Sequence, residues 1–133
     1  MIPEFLGVAE VEALHQQGVA TFGGLSGVLN RSLLESAVGQ PYAWFNGGWL
    51  HPDLFLMAAA YMFHLIRDHP FWDGNKRVGT ICALVFLERN GVPMRRPHPE
   101  LYDLAMEVQA GTVDKPGIAA RLRAMAAEPD LTS

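Results

Sequence analysis

At 133 residues, with a net charge of −4 and 50% hydrophobic residues, the chain has the size and composition of one globular domain rather than a disordered segment. A chain of this length buries roughly two thirds of its unfolded surface, so it needs no metal or disulfide to hold it. Its single cysteine, Cys82, lies in an apolar run and reads as a core residue in a reducing compartment. The acidic balance argues against direct nucleic-acid binding, and no segment has the pattern of a secretory signal or the length of a membrane span, so a soluble, cytoplasmic protein is expected.

No repeat or linker divides the chain, and helical spacing far outweighs strand-like alternation, so one all-α domain over residues 1–133 is expected, a compact bundle of about six helices. The first helix is predicted over about residues 8–17, with Val8, Val11 and Leu14 on one stripe and Gly18 at its end. A second is predicted from Arg31 to Val38, capped by Asn30, or starting at Ser32 with Glu35 in capping-box spacing. Between Gln40 and Leu50, Pro41, an Asn46-Gly47-Gly48 turn and the aromatics Tyr42, Trp44 and Phe45 indicate a loop or short hairpin. A long helix should then begin at His51, with Pro52 and Asp53 in its first turn, and run to about Arg67. It is apolar nearly all round, as a central buried helix would be. A second such helix is predicted from Asn75 to Arg89, stopped by Asn90-Gly91. Two more are expected, from about Pro99 to Gln109 and from about Pro116 to Ala127, with the last residues frayed.

The loop between the two greasy helices carries the chemistry. His69, Asp73, Asn75, Lys76 and Arg77 fall close together there, and Gly74 stands just before a helix start, where open N–H groups and the dipole favour an anion. Lys76 and Arg77 add positive charge at the end of a helix that disfavours cations, which calls for a bound anion such as phosphate. A neighbouring carboxylate suits Mg²⁺, and a histidine suits a general base. A plain capped turn, with Lys76 and Arg77 solvated or paired to Asp68 and Asp73, satisfies the same spacing. His51 and His64 lack the short spacing of a helical zinc pair, and His15 and His98 carry no signal.

The run His69-x-Phe71-x-Asp73-Gly74-Asn75-Lys76-Arg77 resembles the Fic/Doc superfamily signature, H-x-F-x-[D/E]-G-N-[G/K]-R. Residues 27–38 followed by Gln40-Pro41 resemble the segment upstream of the motif in death-on-curing (Doc-type) proteins, and residues 86–91 resemble the end of their motif helix.

The resemblance implies a nucleotide-dependent transferase acting on a protein hydroxyl. His69 would be the general base, Phe71 the core anchor of the loop, and Asp73 the Mg²⁺ ligand. Gly74 and Asn75 would shape the anion hole, with the Asn75 side chain on phosphate, and Arg77 would hold a phosphate oxygen. Most adenylyltransferases of the family have glycine where this chain has Lys76. In Doc-type toxins the lysine goes with an inverted nucleotide, so that the γ-phosphate of ATP is transferred, with a threonine of elongation factor Tu as the described target. Thr80 stands where adenylylating members carry a second arginine, and Gly74 follows the wider Fic pattern where the founding Doc toxin has alanine. Trp72 is either packing or a narrowing of the site.

The family positions its target with a flap that precedes the motif; the stretch containing Tyr42, Trp44, Phe45 and Asn46 is the candidate, or else an aromatic cover over the core. No glutamate is followed by Gly or Asn, so the family's internal inhibitory helix is absent, and a small antitoxin with a disordered tail is the expected inhibitor. AMP transfer, and an idle fold kept as a binding module, are the competing readings.

Overall fold

The computed structural model describes residues 2–95 and 98–128. It contains α1 (Val8–Phe22), α2 (Arg31–Gly39), a 3₁₀ turn (Gln40–Tyr42), β1 (Trp44–Phe45), β2 (Gly48–Trp49), α3 (Leu54–Arg67), α4 (Asn75–Arg89), α5 (Pro99–Ala110) and α6 (Lys115–Ala126). The expected all-α bundle is what forms. The frayed tail predicted at the C-terminus falls outside the described residues.

The centre is the hairpin of α3 and α4, whose buried faces carry Met57, Tyr61, Met62 and Leu65 on one side and Val78, Cys82, Phe86 and Leu87 on the other. Gly79 lets the two helices approach closely: a Cβ built there would lie 2.9 Å from Ile66 Cγ1 and 3.2 Å from the Met62 carbonyl oxygen. Helix α1 packs on α4, α2 on α3, and α5 and α6 close the other side of α3. The N-terminal segment is pinned to the core through Tyr61, whose hydroxyl accepts from the Leu6 N–H (2.8 Å) and donates to the Leu6 carbonyl (3.3 Å). Burial pushes the Tyr61 hydroxyl pKa well up, which keeps it a neutral donor. Among the described residues no helix is long and apolar enough to cross a membrane.

Three of the boundaries that differ from the sequence reading have a clear local reason. Helix α1 does not stop at Gly18 but continues to Phe22, and Gly23 (φ 84°) ends it. Gly18 is there for clearance, since a Cβ at that position would meet Arg77 Cδ at 3.2 Å. Helix α3 starts at Leu54, not at His51. Asp53 is its N-cap, extended and accepting from the Leu56 N–H at 2.9 Å, and this leaves His51 buried outside the helix. Helix α6 begins one residue early because the Asp114 carboxylate caps it through the Gly117 N–H (2.8 Å). Asn30 rather than Ser32 caps α2, accepting from the Leu33 N–H at 3.0 Å.

Candidate functional site

Helix α3 ends at Arg67, and the chain reverses through residues 68–74 into α4. His69 has φ 52°, a left-handed conformation uncommon outside glycine, which turns its exposed side chain out of the loop while Phe71 drops into the core at 1% exposure. Residues 27–30 tie the loop down from outside. Leu29 and Asn30 N–H groups donate to the Pro70 carbonyl (2.8 and 3.0 Å), Trp72 N–H donates to the Gly27 carbonyl (3.3 Å), and Val28 pairs with Phe71.

Asn75 locks the loop from inside. Its Oδ1 accepts from the Phe71 N–H (3.1 Å), and its Nδ2 donates to the Phe71 carbonyl (3.0 Å) and toward His69 Nδ1 (3.0 Å). Both amide hydrogens are therefore engaged, and the side chain is buried. In this arrangement the hydrogen bonds of the Asn75 side chain go to the loop, which they shape. Because Phe71 fixes which end of the amide donates, His69 Nδ1 accepts, and a neutral ring carries its hydrogen on Nε2.

Asp73 is exposed, with Oδ1 accepting from the Gly74 N–H (2.8 Å) and Oδ2 from the Leu25 N–H (3.2 Å). These two N–H groups, Leu25's foremost, with help from Arg77, hold its pKa below the usual carboxylate value. Gly74 sits at the N-cap of α4 in the left-handed region (φ 76°, ψ 18°). No side chain caps this helix, so the N–H groups of its first turn remain open to an anion. Arg77 extends along α1, its guanidinium 4.8 Å from the Phe22 ring centre and Nη1 3.5 Å from the Gly18 carbonyl. Thr80 turns its hydroxyl to the Lys76 carbonyl (2.7 Å).

His69, Asp73, Gly74, Asn75, Lys76 and Arg77 all line one cleft of about 570 Å³. Its far end, between α4 and α5, is apolar and includes Ile81, Leu84, Leu101 and Tyr102. A smaller cleft of about 260 Å³ between α1 and α4 shares Gly74, Arg77 and Ile81, so Arg77 stands on the wall between the two.

The stretch expected as the flap lies away from the motif loop. Trp44 to Trp49 do form a hairpin, with Trp44 opposite Trp49, Phe45 opposite Gly48, and a turn with positive φ at Asn46 (51°) and Gly47 (77°). But Trp49 packs on Phe5 and shares a cleft with Pro52, Met57 and Asn90, at the start of α3 and the end of α4. The 14 residues of α3 separate it from the loop by about 20 Å. Tyr42, Trp44, Phe45 and Asn46 therefore do not border the cleft. The reason is topological: α2 starts at Arg31, directly after its cap Asn30, whose N–H is bonded to the Pro70 carbonyl, and it carries the chain away from the loop. The segment lying on the motif is residues 25–30 instead.

Sequence reasoning also missed His15. It is 4% exposed, lies flat on Phe71 (ring centres 3.8 Å apart, 8° between planes), and its Nε2 meets the Asp73 carbonyl at 2.7 Å. His51 and His64 do converge, but on an amine. Lys115 Nζ lies 3.1 Å from His51 Nε2 and 3.0 Å from His64 Nε2, and His64 Nδ1 faces Asp68 (3.3 Å). Among the described residues no group of three or more His, Cys, Asp or Glu side chains could hold a metal ion. Cys82 is buried among core residues, and burial raises its thiol pKa far above the reactive range.

The sequence that builds this helical bundle and its cleft matches a known family. The model of the Fic/DOC family matches residues 5–87, well over half the chain, and the chain belongs to that family. Among its relatives is "Protein kinase doc" of Escherichia phage P1, 35% identical over 114 residues that cover 86% of this chain and 89% of the relative. Another is "Toxin Doc" of Mycolicibacterium smegmatis, 38% identical over 112 residues that cover 83% of this chain and 86% of the relative.

Proposed function

We propose that this protein is a Doc-type toxin that transfers the γ-phosphate of ATP to a serine or threonine hydroxyl of a protein target in the cytoplasm, and so inhibits translation. The observation that carries the reading is the meeting of His69, Asp73, Lys76, Arg77 and the uncapped start of α4 in a single cleft. The open N–H groups, Lys76 and Arg77 bind phosphate oxygens, and the apolar half of the cleft takes the less polar part of the nucleotide.

Asp73 fits Mg²⁺. It is ionised, exposed at the mouth of the cleft, and a single carboxylate is what this ion commonly takes when phosphate oxygens and waters complete its shell. The metal would neutralise charge developing on the transferred group.

His69 serves as the general base. Its neutral ring bears hydrogen on Nε2, so accepting a proton there requires the other tautomer and the loss of the Asn75 hydrogen bond. That cost is about 1–3 kcal/mol, because a buried amide hydrogen loses its acceptor. Phosphoryl transfer proceeds through a loose transition state in which positioning and charge stabilisation dominate, so the penalty is tolerable.

Lys76 supports phosphorylation over AMP transfer, because its bulk and charge occupy the position that glycine keeps open in adenylylating members. Elongation factor Tu is the proposed target. Residues 25–30 are the proposed target-binding edge, and exposed Leu25, Leu29 and Trp72 border it. A small antitoxin, with a tail that folds on binding, is the proposed inhibitor. Incubation with ATP–Mg²⁺ and a bacterial lysate, followed by mass spectrometry of new protein modifications, tests the reading. A phosphate-sized increment on a translation factor is expected; an AMP-sized increment, or none, overturns it.

A further inference from the structure

We propose that His15 is a positioning residue of the phosphate site, acting through the peptide that joins Asp73 to Gly74. The inference rests on the functional reading above and adds to it a side chain that lies outside the motif, 58 residues away in sequence.

A carbonyl oxygen only accepts, so the 2.7 Å contact requires His15 Nε2 to carry the hydrogen and donate to Asp73. In a trans peptide the C=O and the following N–H point in opposite directions. Holding the Asp73 carbonyl toward α1 therefore turns the Gly74 N–H away from α1, where it meets Asp73 Oδ1 at 2.8 Å. The Leu25 N–H holds the other carboxylate oxygen. One imidazole thus fixes the plane from which both the carboxylate and the start of α4 are aimed. The stack on Phe71 in turn fixes the imidazole. A residue needed for packing alone would be served by phenylalanine, which offers the same flat face with no polar atom to bury.

Two substitutions separate donor from ring. His15→Phe keeps the stack and removes the donor; His15→Gln keeps a donor at similar reach and removes the ring. Binding of ADP is measured by calorimetry with and without Mg²⁺, beside the thermal midpoint of each variant. For His15→Phe the expected result is about 10–100-fold weaker ADP–Mg²⁺ binding, as for loss of a group that orients a metal-binding residue. Binding of ADP alone should fall less, and the midpoint should stay within a few degrees. His15→Gln should recover most of the affinity. Wild-type ADP–Mg²⁺ affinity in His15→Phe overturns the proposal, as do equal losses with and without Mg²⁺. Should His15→Phe fail to fold, His15→Gln decides: near-wild-type affinity is expected, and a 10-fold or greater loss counts against the donor role. A wild-type protein that binds no ADP–Mg²⁺ overturns the functional reading itself, and this inference with it.

Discussion

At the scale of the residue, the site divides into groups that face the cleft and groups that hold them there. Asn75 and Phe71 belong to the second kind: one is an amide with its hydrogens engaged, the other a ring in the core. His69, Asp73 and Lys76 belong to the first. Replacing His69 with alanine should lower phosphoryl transfer by about 10²–10⁴-fold while ADP binding is retained, since a general base acts on the reacting proton and not on the nucleotide. Single-turnover transfer and calorimetry read the two quantities separately, and a variant as fast as wild type would remove the base from the scheme. Lys76→Gly tests the choice of reaction. It should reduce phosphorylation, and any product that appears in its place should carry AMP, as judged by intact mass of the target. Unchanged phosphorylation would mean that Lys76 does not set the nucleotide's orientation.

At the scale of the element, the approach of α3 to α4 matters most, because the motif loop is the turn between them. Gly79 sets that approach. Alanine there would place its methyl group 2.9 Å from Ile66 Cγ1 and 3.2 Å from the backbone oxygen of Met62. Ile66 can shift, but the carbonyl belongs to α3 itself, so the helices must separate slightly. Overpacking of this kind costs about 1–3 kcal/mol, and the better helix propensity of alanine returns at most about 1 kcal/mol. Gly79→Ala should therefore lower the thermal midpoint by about 2–8 °C. It should also weaken ADP binding, because the loop rides on both helix ends. A midpoint at or above that of wild type would show that the crossing has room to spare.

At the scale of the whole molecule, the histidines beside Lys115, His51 buried and His64 half-buried, link stability to acid. Burial first, then the charge of Lys115, pushes the pKa values of His51 and His64 below the ordinary value, although Asp68 pulls His64 back. Both imidazoles therefore protonate less readily in the folded state than in the unfolded one. Their contribution to stability is complete above the unfolded pKa of about 6.5 and drains away as the pH falls through and below it. Urea unfolding at neutral and mildly acid pH should show a lower midpoint in acid. Lys115→Met should shrink that difference without abolishing it, because burial, the larger cause, remains. A pH-independent midpoint across this window would contradict the assignment.

What the amino-acid order determined alone was whatever is local. The helix from Asn75 to Arg89, its stop at Asn90-Gly91, the Asn30 cap and the Asn46-Gly47 turn each depend on a few neighbouring residues, and each is where those residues place it. The motif from His69 to Arg77 was legible for the same reason: its chemistry lies within one turn and the helix start that follows. Only the tertiary structure decided that residues 25–30, not the aromatic hairpin, lie on the motif loop, that Gly18 clears a path for Arg77, and that His15 braces Asp73. These contacts join segments some 40 to 60 residues apart, and their direction depends on how the helices cross. A lone histidine or glycine inside a regular helical pattern looks the same whether it meets solvent or the one carbonyl that aims a site.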